Sequence, residues 1–361
     1  NMLACSALVA LLAPGVAGSP AASLLPDAAA SGSSCAACDD ETWTRSLAHP
    51  AKGGVGSIGT VDVVVSYCNH DLAWLDAYVE GLQKLGAPVR NVTIYSKCQQ
   101  PAPEAKSGVK WSQTVVELPN VGRCDHTYAY HMSEAYADLA DATVYIKDSY
   151  DPNAPQSDRV KDGLDQVRDV KETWERTKSD GVSCLYDSGA SHGASVWHAA
   201  QAVGAFKLAG YSEELSKLKV LGRMDVKIDE KMSRGQHDAI QSMTVAKEQQ
   251  ANFMSPVRPL AAWLKQTTGI ALDERKLWPV CYGGNFAATR SAVHRMGREP
   301  WDKMKQSLTR GDNIEEGHYA ERSWLGMLSL PLTGRAEEAV LKAASGRCSA
   351  GPTAGSCLAG Q

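Results

Sequence analysis

The chain has 361 residues, 43% of them hydrophobic, and a formal net charge of −4 without a long basic block. That length allows one large domain or two small ones around a sizeable core. The charge balance argues against nucleic acid or an anionic membrane surface as a partner.

In chain order, Leu3 to Ala13 form an apolar run followed by small residues. The run is too short to span a bilayer but suits the core of a signal peptide over residues 1–18, although no basic flank precedes it. The expectation is a protein of the secretory pathway, Golgi lumen or secreted, with no membrane span in the mature chain. Ten cysteines, an even number, agree with an oxidising compartment. Cys35-Ala-Ala-Cys38 has redox-motif spacing, but it lies in an Ala/Ser/Gly/Pro-rich stretch, 19–59, that reads as a linker, so a local disulfide is expected there.

The folded part is expected over 60–330. "VDVVVSYCNHD" supplies a β-branched strand, Val61 to Tyr67. Asp71 reads as an N-cap, with Leu72, Leu75, Tyr78, Val79, Leu82 and Leu85 at helical spacing and Gly86 closing the helix. Strands follow at 91–97, where the sequon Asn91-Val92-Thr93 opens the run, and at 114–120. A helix is expected in 125–141, with Tyr128, Met132, Ala135 and Leu139 on one face, and a fourth strand at 142–148. This alternation predicts an α/β fold with a mostly parallel sheet. Cys68 and Cys98 each follow a strand by one residue. Strands joined by one helix are usually neighbours about 4.8 Å apart, so these two cysteines are expected to pair. Residues 153–275 read as a helical insertion. Strand character returns at 278–290, a helix starts near Ile314, and 331–361 form an Ala/Gly/Ser-rich tail that either frays or is pinned by Cys348 and Cys357.

Ligands of open parallel sheets bind beyond the carboxyl ends of the strands. Four segments are expected there. Ser66, Tyr67 and Asn69 follow the first strand. "KDSYDPN" offers Asp148 and Asp151, either as oxygen ligands for Mg²⁺ or Mn²⁺ or as a turn bonded to its own backbone. Gly283 and Gly284, before Asn285, mark a bulge or a close backbone approach. The fourth segment is the helix at 314–324. With Asn313 as N-cap, Glu316 falls at N3 of a capping box. Steps of 100° then place Ala320, Trp324, Met327 and Leu328 toward the core, and Glu315, His318, Tyr319 and Arg322 on a solvated or functional face. His126 follows Gly122 and Arg123 at a helix start, where backbone N–H groups can hold an anion; a capped helix with a partly buried histidine is the other reading.

"VVVSYCNHDLAWL", "NVGRCDHTYAYHM", "DLADATVYI", "YGGNFAATR" and "EEGHYAERSW" together resemble an uncharacterised family of fungal, algal and protist proteins, a domain of unknown function. The order of parts also resembles the GT-A (Rossmann-like) fold of nucleotide-sugar glycosyltransferases. That resemblance implies a nucleotide loop at Ser66–Asn69, an acceptor loop at Gly283–Gly284, and a divalent cation, Mn²⁺ or Mg²⁺, on Asp148, Asp151 and His318. It implies Glu315 as general base, with Glu316 as the substitute, and Arg322 or Arg123 balancing diphosphate charge. Tyr67, His126, Asn285 and Tyr319 complete the expected substrate-binding set. "DSYD" departs from the usual motif, with two residues between its aspartates instead of one, which leaves metal dependence open. The implied activity moves a sugar from a nucleotide sugar to a hydroxyl of a glycan or glycoprotein. The alternatives are a metal-dependent hydrolase of a phosphoester or glycan, and a non-catalytic carbohydrate-binding protein.

Overall fold

The β-branched run forms strand β1 (Val61–Tyr67), and the helical spacing after it forms α1 (Ala73–Lys84). Both belong to a computed structural model that describes residues 58–99, 111–150, 166–167, 170–187, 202–212, 253–281, 283–332, 334 and 337–338. Asp71 accepts a hydrogen bond from Ala73 N–H at 2.9 Å, one residue ahead of the N-cap Leu72, and Gly86 leaves the helix at φ +79°. Strands β2 (Val89–Ser96) and β3 (Ser112–Glu117) follow, then α2 (Arg123–Glu134) and β4 (Ala142–Lys147). The second helix stops at Glu134, short of the expected 141; Leu139 and Ala140 are buried in the turn that leads into β4.

Further on lie β5 (Gln166–Val167), α3 (Val170–Asp180), β6 (Val182–Cys184), β7 (Tyr186–Asp187), β8 (Ala202–Gly204), α4 (Ala205–Ala209) and α5 (Leu260–Thr268). The C-terminal part supplies β9 (Leu277–Pro279), β10 (Phe286–Thr289), α6 (Arg290–His294), α7 (Arg298–Ser307) and α8 (Glu315–Leu328).

The main sheet has six strands in the order β3-β2-β1-β4-β10-β6. β1 pairs in parallel with β2 and β4, β2 in parallel with β3, and β10 runs antiparallel to both β4 and β6. The chain is therefore an α/β protein with a mostly parallel sheet flanked by helices. One expectation needs correction. The stretch read as a helical insertion contributes β6 to this sheet, and α3 packs on β6 and α1. Two short antiparallel pairs, β5 with β7 and β8 with β9, lie outside the main sheet.

The period of two along β1 separates the two faces. Val61, Val63 and Val65 pack with Leu75, Tyr78, Val79 and Leu82 of α1. Val64 joins Tyr128 and Met132 of α2 and Trp324 of α8 in the core on the opposite face. There the indole of Trp324 stacks on Phe286 at 5.5 Å and on Trp301 at 6.3 Å. Ala320, Trp324, Met327 and Leu328 are all buried, as the 100° steps require. α8 lies so close to β9 that a Cβ on Gly326 would meet the Trp278 ring at 2.0 Å.

Cys68 pairs with Cys98 across β1 and β2, with Cα atoms 4.8 Å apart, as expected. Cys184 pairs with Cys281 at 5.6 Å. Two disulfides are compatible with a secreted or lumenal protein. Among the described residues no helix is long and apolar enough to cross a membrane. The expected signal peptide, Cys35 and Cys38, Asp151, Tyr282, and Cys348 and Cys357 lie outside the described residues.

Candidate functional site

Strand order reverses between β1 and β4: β2 and β3 extend the sheet on one side of β1, and β4 opens the other. The crevice beyond such a reversal is where open α/β sheets hold ligands. Two loops meet there. Asp148 Oδ2 accepts the backbone N–H groups of Cys68, Asn69 and His70 at 2.7, 2.9 and 3.1 Å. Burial works to raise the carboxyl pKa, but these three N–H groups, with His70 beside them, hold it below the usual value. The β1 loop is thus clamped from β4 on one side and by the Cys68–Cys98 disulfide on the other. Asn69 remains exposed on it. Ser66 is buried, its hydroxyl bonded to Thr127 at 2.9 Å, and the Tyr67 carbonyl accepts Lys97 N–H at 3.0 Å.

Beside this loop sits a charged cluster. The buried Lys97 ammonium donates to the carbonyl of Val121 at 2.5 Å and to that of Arg123, and burial lowers its pKa to about 8. It holds a bend in which Gly122 and Arg123 both have left-handed φ values, 57° and 53°. Only glycine fits at 122, because a Cβ would meet the Leu308 carbonyl oxygen at 2.5 Å. Arg123 adopts the same region with a side chain, at a cost of about 1–2 kcal/mol.

The Arg123 guanidinium lies 3.6 Å from Glu321 Oε2. The other oxygen of Glu321 accepts Gly283 N–H at 2.9 Å. Positive φ at Gly283 and Gly284 (85° and 67°) turns this backbone toward the carboxylate; a Cβ on Gly284 would lie 3.7 Å from Cys124 Sγ and 3.9 Å from Glu321 Cγ. The Gly-Gly pair is therefore a close backbone approach, to a side chain of the chain itself. Burial pushes Glu321 up, but Arg123, Lys147, Arg322 and the Gly283 N–H outweigh it and keep the carboxylate charged. Burial likewise opposes the charge of Arg123, which Glu321 and Asp125 restore. Asp125 is raised to about 6 by burial, against the pull of Arg123, while accepting Trp324 Nε1 at 2.7 Å. Burial pushes the free Cys124 thiol up to about 12, which makes it a poor nucleophile.

Lys147 completes the cluster. Its backbone N–H donates to Asn285 Oδ1 at 2.7 Å, next to the Gly-Gly turn. Its half-buried ammonium makes no ion pair or hydrogen bond among the described residues. Asn285 is fully buried, and its amide nitrogen has no hydrogen-bond partner among the described residues.

The start of α8 departs from expectation. The N-cap is Ile314, so Glu315 and Glu316 occupy N1 and N2, and no capping box forms. Glu316 is held by Arg310 through two bonds of 2.8 and 2.7 Å. Glu315 is completely buried, accepting Ser255 N–H at 2.8 Å and Arg258 Nε at 3.1 Å. The face carrying Glu315, His318, Tyr319 and Arg322 is largely covered by segment 253–263 and Tyr211: Glu315 and Tyr319 are buried, and His318 and Arg322 are partly exposed. Tyr319 packs on Trp263 at 5.7 Å, His318 on Phe253 at 5.7 Å, and the Arg322 guanidinium over Tyr211 at 4.2 Å. His126 is buried beside Tyr130, and burial lowers its pKa to about 4.

Of the expected metal set, Asp148 Oδ2 is filled by three N–H groups and His318 Nε2 lies 3.2 Å from Asn313 Oδ1. Among the described residues no three His, Cys, Asp or Glu side chains gather as metal ligands. The described residues do not by themselves make a cation site. A hollow of about 770 Å³, lined by Lys265, Arg275, Lys276 and Glu337 among others, contains none of the expected site residues.

No protein-family profile matches the chain, and no curated protein matches it. The site residues expected from the sequence include Arg123, Gly283 and Gly284, but give no role to Glu321, Asp125 or Lys147. Lys147 had a signal, since it stands at the carboxyl end of the fourth strand. Glu321 had one only through the Gly-Gly pair, whose turned backbone N–H needed an acceptor.

Proposed function

We propose that the chain transfers a sugar from a nucleotide-sugar donor to a hydroxyl of a glycan or glycoprotein acceptor, on a sheet of GT-A type in the lumen of the secretory pathway. The observation that carries this reading is the reversal of strand order between β1 and β4, with the loop after β1 fixed by Asp148 and by the Cys68–Cys98 disulfide. A loop already held in place costs less to order on binding a flexible nucleotide.

In the reaction, the acceptor oxygen forms a bond to the anomeric carbon as the bond from that carbon to the diphosphate breaks. The acceptor proton passes to a base, and the nucleoside diphosphate leaves. In this reading Glu315 and Glu316 fix the start of α8 through Arg258 and Arg310 rather than take that proton.

The test is thermal shift with uridine, guanosine and adenosine diphosphates, with and without Mn²⁺, followed by an assay of nucleoside diphosphate release from the matching nucleotide sugars. Stabilisation by one nucleotide and acceptor-dependent release support transfer. Stabilisation by Mn²⁺ alone points to a hydrolase, and stabilisation by free glycans alone to a carbohydrate-binding protein; either result ends the transferase reading.

A further inference from the structure

We propose that Lys147 and Arg123 form an anion subsite that holds the phosphoryl oxygens of a diphosphate directly. The inference rests on the nucleotide-sugar reading and adds to it the groups that hold the donor's charged end. An unbroken run of contacts joins the two cations. Lys147 is tied by its backbone to Asn285, the neighbour of Gly284. Gly284 lies against Cys124 and Glu321, and Gly283 donates to Glu321, which pairs with Arg123. Arg123 and Lys147 both act electrostatically on the same three groups, Glu321, Asp125 and Cys124, so their charges overlap in one small region.

Both cations have unused donors. The Lys147 ammonium is without a partner among the described residues, and Arg123 Nη1 is buried with no hydrogen bond, only the longer ion pair to Glu321. A buried guanidinium nitrogen without a hydrogen bond is costly unless something supplies an acceptor. The other nearby cations are engaged. Lys97 holds the carbonyls of Val121 and Arg123, while Arg322 donates to the His318 carbonyl and covers the Tyr211 ring. Glu321 is a positioning residue here: it repels an anion, but it fixes Arg123 and the Gly-Gly turn in one geometry. The site stands at the carboxyl end of β4, beside the reversal of strand order, where a diphosphate would be expected to lie. Arginine offers a planar fork to phosphoryl oxygens and lysine a point charge, a pairing suited to a diphosphate.

The probe is inorganic pyrophosphate, titrated calorimetrically into the full chain in chelator at matched ionic strength. Lys147→Met removes an ammonium that makes no hydrogen bond or ion pair among the described residues, though its charge acts on Glu321 and Asp125. Arg123→Gly removes the guanidinium while easing a left-handed backbone. Each should weaken pyrophosphate about 10- to 100-fold, the effect of losing one charge-assisted contact, and Lys147→Arg should restore most of the affinity. Absence of wild-type binding, wild-type affinity in both variants, or binding that needs Mn²⁺ and ignores both substitutions would overturn the subsite. The two readings fail separately. Turnover of a nucleotide sugar that Lys147→Met leaves untouched removes the subsite and keeps the transferase. Pyrophosphate binding that depends on Lys147 and Arg123, without turnover of any nucleotide sugar, keeps the subsite and removes the transferase.

Discussion

Removing the Cys68–Cys98 disulfide should destabilise the fold by an amount that its position sets. The bond links residues 30 apart and encloses all of α1. Constraining a loop of that length removes about 3.7 kcal/mol of chain entropy from the unfolded state. The Cys184–Cys281 bond spans 97 residues, and the same relation gives about 4.7 kcal/mol for it. The two loops do not overlap, so the losses should add. The perturbation is the double change Cys68→Ser with Cys98→Ser, which orphans neither partner of the bond. Asp148 keeps its three N–H partners in that variant, so the loop retains its native anchor and the loss falls on the unfolded chain. Urea unfolding of the wild type and of each double variant reads the difference directly. The Cys68/Cys98 variant should lose about 3–4 kcal/mol, and the Cys184/Cys281 variant about 1 kcal/mol more. A loss below about 1 kcal/mol for the first pair, or a peptide map that joins Cys68 elsewhere, would refute the reasoning, since the first removes the entropic constraint and the second the strand order.

Acid should destabilise the protein between pH 6.5 and 4. Burial lowers His126, His131 and His318 to about 4, so the folded state binds fewer protons than the unfolded state in that window and stability falls as pH falls. His131 alone accounts for about 3 kcal/mol at pH 4, and Asp125, raised to about 6, acts with opposite sign; His131→Gln should flatten the fall in urea midpoint, and an unchanged slope would disprove the assignment. Gly326→Ala should cost about 1–3 kcal/mol through overpacking against Trp278, and a neutral urea midpoint would mean that α8 lies farther from β9. Glu315→Gln should lose about 1.5–3 kcal/mol from the Arg258 bond while leaving turnover per folded molecule unchanged; loss of turnover without loss of stability would return Glu315 to the chemistry.

What was legible in the sequence was local. β1 falls on Val61–Tyr67 because a β-branched run needs no partner to declare itself, and the apolar period of α1 does the same for its buried face. The Cys68–Cys98 pair was legible because a strand–helix–strand unit fixes which strands are neighbours. The Cys184–Cys281 pair was not, because it depends on β6 pairing with β10 from inside a stretch that reads as helical. The helix at 315–328 shows the limit within one element. Its core face followed from 100° steps, but its first residue did not. Asn313 is the better cap by chemistry, yet Ile314 takes the position, and Arg258 and Arg310 bind the carboxylates that a capping box would have used. The opposite face looked free for function because nothing in the sequence says that segment 253–263 lies over it. Arg123 and Glu321 are separated by almost 200 positions, and no local pattern joins them.

The distribution of backbone strain bears on where function sits, independently of any charge. Among the described residues two non-glycine residues have positive φ, Gln99 at 58° and Arg123 at 53°. Gln99 follows β2, and Arg123 follows β3. Both lie just past the carboxyl ends of parallel strands, at the edge of the sheet where ligands of this architecture bind. Gln99 adjoins the disulfide that braces the β1 loop, and Arg123 carries the guanidinium that faces Glu321. Each left-handed residue persists only because neighbouring contacts over-determine it. At Arg123 those contacts are the Lys97 ammonium on its carbonyl and the 2.7 Å bond from Gly122 N–H to the Gly311 carbonyl. Were Arg123 needed only for stability, a glycine there would relieve the bend and an uncharged side chain would spare the desolvation of its charge. The fold instead holds a charged, conformationally costly residue at the start of α2 and anchors it from two sides. That combination fixes where the guanidinium points, as the proposed anion subsite requires.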